Sequence, residues 1–199
     1  MSSCIMDEKT AKGALLRYFN VGHEVMLWKL GGLSDYDARR PLTPTGSNVL
    51  GLMKHVAWVE LGYFGETFGR APDIELPANA DEPNADMYAT ADESRAEIVA
   101  LFNMAWTHAQ ATIDALDIDA EGHVPWWGDQ GEPVSLVQIM VHTTTELHRH
   151  LGQIDIVREL IDGEVGMRDG SENMPDGLPV DYWPTYCAQL ETIAQNAAS

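Results

Sequence analysis

The sequence predicts an all-α protein, a four-helix bundle with long connecting loops and a short C-terminal helix. Three observations predict it. Four windows of about 20 residues or more carry apolar residues at spacings of three and four, the rhythm of a helix with one face against a core. Start signals of the Ser/Thr-x-x-Glu/Gln type and stop signals such as Gly31-Gly32 and Asp162-Gly163 bound these windows. No stretch alternates apolar and polar residues over strand length, and no internal repeat is present. The 199 residues suffice for one domain over 1–199, with a core from about 8 to 163 and a C-terminal loop and helix over 164–199.

The first helix is expected over about 8–31, where Ala11, Leu15, Tyr18, Phe19, Val21, Val25, Met26 and Trp28 keep the 3.6-residue rhythm. His23 lies near its middle, either as a hydrogen-bonded core residue or as part of a pocket. The connection LSDYDARRPLTPTGSN follows, with Arg39 and Arg40 set to steer an anion or to pair with nearby acids. Ser47 or Asn48 then caps a second helix, about 48–68, whose inward stripe is Leu52, Val56, Val59, Tyr63 and Phe64, with His55 on its edge.

Residues 71–89 form a long acidic loop with three prolines, read as a lid, a partner surface or plain solvated chain. Thr90 and Glu93 make a capping box that opens a third helix over about 91–116, with Ile98, Leu101, Phe102, Ala105, Ala109 and Ile113 on one face. Trp126 and Trp127 sit in a Pro- and Gly-bounded turn, as a plug for the end of the core or as part of a pocket wall. Ser135 with Gln138 starts the fourth helix, which runs to about Ile161, and PTYCAQLETIAQ reads as a short amphipathic helix begun by Pro184.

Composition sets bounds on function. Hydrophobic residues at 45% and charged residues at 22% are close to average usage, which points to neither disorder nor a membrane protein. Twelve basic against 31 acidic residues give a net charge of −19, so neither nucleic acid nor an anionic membrane surface is expected as a partner. Cys4 and Cys187, one near each end, make neither a disulfide framework nor a CxxC site. The N-terminus shows no basic region followed by an apolar run, and the expected location is the cytoplasm.

The fourth helix carries the chemistry. In HTTTELHRHLGQIDIVRE, residues 142–159, His142, Glu146 and His150 recur every four residues and so stack along one stripe of a helix. A pair at i and i+4 can close on one divalent cation from one side, leaving room for a third ligand from another helix, for which His55 is the candidate. The same pair also occurs on ordinary surface helices. Here, however, Glu146 and His150 border the apolar stripe Leu136, Ile139, Met140, Thr143, Leu147, Leu151 and Ile154, where a half-buried carboxylate is unfavourable unless paired or metal-bound.

Two segments resemble the DinB-like metal-binding bundle superfamily, in the branch near mycothiol-dependent maleylpyruvate isomerase. LGLMKHVAWVE, residues 50–60, is similar to that family's second-helix segment with a central His. VHTTTELHRHLGQIDIVRELIDG, residues 141–163, is similar to its E-x-x-x-H-x-G-[QH] fourth-helix segment. The resemblance implies a divalent metal held by His55, Glu146 and His150, the His-Glu-His set of the isomerase branch, with His142 beside the ligands. It implies Zn²⁺, with Ni²⁺ as an alternative occupant of purified protein, and a low-molecular-weight thiol such as mycothiol acting on a small electrophile. A homodimer is left open. So are three activities: a thiol-dependent transferase or isomerase, a metal-dependent hydrolase, and a non-catalytic stress-related metal-binding bundle.

Overall fold

A computed structural model describes residues 9–72, 74 and 82–198; Cys4, residue 8 of the expected helix 8–31 and much of the acidic loop lie outside them. Helix α1 spans Ala11–Leu30, α2 Asp35–Arg39, α3 Val49–Phe64, α4 Arg95–Ala115, α5 Leu136–Asp162 and α6 Tyr182–Ala197. A 3₁₀ turn at Glu66–Phe68 follows α3, and an antiparallel hairpin of β1 (Glu121–Val124) and β2 (Glu132–Ser135) joins α4 to α5. Helices α1, α3, α4 and α5 form the bundle, and the protein is mostly helical as the apolar rhythm predicts.

Caps set the starts of the helices. The side chains of Thr10, Asn48, Ser94 and Ser135 accept from the amides of Gly13, Gly51, Glu97 and Gln138, three residues on in each case. Helix α4 therefore begins at Arg95, not at 91. Glu93 does accept from the Thr90 amide, but Lys54 holds the same carboxylate, and the segment closes as a turn ahead of the full box made by Ser94 and Glu97. The hairpin also departs from expectation. Its strands have four residues each and turn only Val124 and Val134 inward, too short a pattern to show as alternation.

Directions follow from which residues meet. Tyr18 meets His148 and Lys29 meets Asp155, so α1 and α5 run parallel. His55 meets Glu146, and Tyr63 meets His142, so α3 and α5 are antiparallel. Trp106 reaches Asn20 and Arg95 reaches Leu30, which makes α4 antiparallel to α1 and hence parallel to α3. A parallel pair needs a connection that returns the length of the first helix, about 24 Å for the 16 residues of α3.

The C-terminal end of α1 is fixed by two guanidinium groups, half-buried Arg95 and buried Arg158. Arg95 donates to the carbonyls of Leu30 and Leu33, and Arg158 to those of Lys29 and Gly31 while pairing with Asp162. These carbonyls have no partner inside the helix. Beyond α5 the chain is anchored where the Trp28 indole donates to Asp169, and α6 buries none of its side chains. Among the described residues no helix is long and apolar enough to cross a membrane. Arg158→Ala removes the donors of two carbonyls and should lower stability by roughly 3 kcal/mol, whereas Arg40→Ala, a half-exposed partner of Asp37, should change it by less than ~1 kcal/mol; urea denaturation checks both.

Candidate metal centre

Each of the two antiparallel helices keeps one polar edge beside its buried stripe. On α3 that edge carries His55, and on α5 it carries Glu146 and His150, one turn apart. The three offer ligand atoms that all lie within 4.8 Å of one another. His150 Nε2 is 2.9 Å from Glu146 Oε1, His55 Nε2 is 3.6 Å from the same oxygen, and the two imidazoles meet edge to face at 4.7 Å. His150 is buried, while His55 and Glu146 keep some contact with solvent.

The far nitrogens of both rings are already engaged. His55 Nδ1 lies 2.6 Å from Asp86 Oδ2, and His150 Nδ1 lies 2.7 Å from Gln153 Oε1. A carboxylate and an amide oxygen only accept, so both Nδ1 atoms donate. Each Nε2 is then either protonated toward Glu146 or, in the neutral ring, a lone pair aimed at the same point. Burial pushes the Glu146 carboxyl up, but the hydrogen bond and charge of His150, and then those of His55, outweigh it and hold Glu146 below the usual carboxylate range.

The remaining candidates fall into two groups. His142, one turn before Glu146, packs edge-on against Tyr63 and Trp127 at 4.7 and 5.2 Å. The Trp126 and Trp127 indoles both donate to the Tyr63 hydroxyl, at 3.4 and 2.9 Å, so the hairpin loop is pinned to α3 on the side of the bundle that holds the cluster. Trp126 is 45% exposed. His23 lies elsewhere, between α1, α3 and α4. It donates from Nδ1 to the Phe19 carbonyl, stacks on Trp106 and sets Nε2 within 2.9 Å of both oxygens of Glu60.

Both members of the His23–Glu60 pair are fully buried, and burial pushes the Glu60 carboxyl up against the opposing charge and hydrogen bond of His23. His23 Nε2 and the Glu60 carboxyl are within hydrogen-bond distance of each other inside the core. Arg39 donates to the carbonyls of Ala89, Thr90 and Glu93, and Arg40 pairs with Asp37, so both Arg side chains are committed within the protein. Asp86, Gln153 and Glu60 were not singled out by sequence, and Tyr63 only as part of an apolar stripe. Gln153 had a signal, three residues after His150 in the family motif; Asp86, in a loop 31 residues from His55, had none.

Fold and site together define a helical bundle that gathers a His-Glu-His set between two facing helices. The profile of the family described as mycothiol-S-transferase matches residues 14–163, and the chain belongs to this family, within the DinB-like superfamily. A crystal structure of a protein described as the conserved protein of locus from Enterococcus faecalis superposes with a TM-score of 0.57 at 16% identity. The match covers 78% of this chain and 99% of that one, and it supports the fold alone. No curated protein matches the chain.

Because Gln at position 60 can donate to His23 Nε2, Glu60→Gln should leave stability within about 1 kcal/mol of the wild type and any metal content unchanged. Denaturation and elemental analysis of the purified variant test this. Loss of metal would tie the buried pair to the cluster.

Proposed function

We propose that this protein is a divalent-metal-dependent transferase that joins the sulfur of a low-molecular-weight thiol, mycothiol or a close relative, to a small electrophile. His55, Glu146 and His150 are its metal ligands. The observation that carries this reading is the convergence of two imidazole Nε2 atoms and one carboxylate, with each Nδ1 already used as a donor. Two neutral imidazoles and a carboxylate suit Zn²⁺, and three protein ligands leave the open position of a catalytic site. Outer partners on both His side chains are what an ion-binding pair needs to hold its rings in place.

A bound ion supplies the positive charge that ionises a thiol, ordinarily of pKa near 8.5, at neutral pH. With the thiol proton released to solvent, the sulfur would bond to the electrophilic carbon; the displaced pair would leave with chloride from a chloro-aromatic, or take a proton from solvent after addition to a maleyl double bond. Glu146 tunes this chemistry. A His-Glu-His set carries one negative charge, so an ion it held would attract an anion and polarise water less than one held by three His, which would favour thiol chemistry over hydrolysis. His142, Trp126 and Trp127, beginning one turn or roughly 6 Å along α5 from Glu146, form an aromatic wall whose exposed Trp126 face offers apolar surface to the electrophile.

Purified metal-loaded protein should consume a chloro-aromatic or maleyl electrophile only when a small thiol is added. Turnover with water alone would make it a hydrolase, and no turnover with either would leave a binding protein. His55→Ala and His150→Ala should each abolish stoichiometric metal binding and retain most helicity, because the bundle is stabilised by its buried apolar faces. A full equivalent of metal at unchanged affinity in His150→Ala would overturn the ligand set. Glu146→His should keep metal and change the transfer rate; full occupancy with unchanged rates in both Glu146→His and Glu146→Gln would make Glu146 an ordinary helix-face carboxylate.

A further inference from the structure

We infer that Asp86 is a positioning residue of the metal centre and that the crossover between α3 and α4 is built to deliver it; this rests on the metal reading above. Ahead of α4, the described residues 82–94 lie against the N-terminal half of α3 and are fastened to it at several points. The Met87 backbone lies so close to Gly51 that a Cβ there would sit 1.9 Å from the Met87 carbonyl oxygen, a contact no other residue type can make. Asn48, while capping α3, also donates its amide to the Met87 carbonyl at 3.3 Å. Buried Lys54 donates to the Tyr88 carbonyl at 3.0 Å and pairs with Glu93 at 2.8 Å.

Asn48, Gly51 and Lys54 occupy the two turns just before His55, and each grips the segment immediately after Asp86. Asn84, in the left-handed region at φ 70°, turns the chain just before it, and the Met87 amide closes that turn onto the Asn84 carbonyl. So fastened, the Asp86 carboxylate lies 2.6 Å from His55 Nδ1 with 17% of its side chain exposed. A loop secured only for its own stability needs no such contact. The carboxylate fixes the ring plane and the Nδ1–H tautomer of His55, so that Nε2 faces Glu146 and His150, and it increases the donor strength of that nitrogen. His150 has a neutral partner in Gln153, so the two imidazoles are unequal ligands and the second negative charge of the centre stands behind His55.

The test compares wild type, Asp86→Asn and Asp86→Ala for Zn²⁺ affinity by chelator competition, for the visible spectrum of the Co²⁺-substituted protein, and for melting temperature. Asp86→Ala should bind Zn²⁺ about 10- to 100-fold more weakly and shift the Co²⁺ spectrum, at a melting temperature close to that of the wild type. Asp86→Asn, which is nearly isosteric and can still accept from Nδ1–H, should recover part of the affinity. Unchanged affinity and an unchanged spectrum in both variants, with wild type taking one equivalent, would overturn the inference and leave the metal reading standing. Wild type that takes up no ion would overturn both.

Discussion

The antiparallel packing of α3 on α5 is the contact on which the rest depends. Both helices bring fully buried side chains to the bundle, Leu52, Met53 and Val56 from one and Ile139, Met140 and Leu147 from the other, and each leaves one polar edge at the seam. A carboxylate and two imidazoles held this close in partly buried surroundings are unfavourable on their own. They persist because the stability of the whole bundle is larger than this local loss, and because Asp86 and Gln153 satisfy the nitrogens that face away. The same seam, two turns along α3, seats the Tyr63, Trp126, Trp127 and His142 cluster, so one helix pair positions both the His-Glu-His set and its aromatic neighbours.

Topology extends the constraint. With α3 and α4 parallel, the chain between them must travel the length of the bundle, and this brings an acidic loop past the N-terminal half of α3. Charge use follows a similar economy. In a chain with 12 basic residues, Lys12, Lys54, Arg39, Arg95 and Arg158 all donate to backbone carbonyls, and Lys29 is buried against Asp155. These six cations clamp one element to another.

How much of this was legible in sequence depends on the range of each interaction. Periodicity and caps are local, and they placed the four bundle helices and most of their starts; Thr90 and Ser94 head two successive boxes, the first of which has its Glu93 paired with Lys54 while the second opens the helix. The i, i+4 spacing of Glu146 and His150 is local too, and the family motif pointed to His55 on α3, which the fold brings within 3.6 Å of Glu146. Asp86 depends on the parallel pairing of α3 and α4, which no local pattern encodes. His23 could not be told from a pocket residue because its partner Glu60 is 37 residues away. The hairpin was missed because four-residue strands with one inward side chain each carry too little pattern.

Diffraction data collected at the zinc absorption edge from crystals of zinc-loaded protein test the central claim most directly, because an anomalous peak locates the ion without reference to activity. The account predicts one peak per chain, about 2.0–2.2 Å from His55 Nε2, His150 Nε2 and a Glu146 carboxylate oxygen, with the His55 ring still turned so that Nδ1 faces Asp86. A peak held by other residues, or zinc-saturated crystals with no peak between α3 and α5, would contradict it.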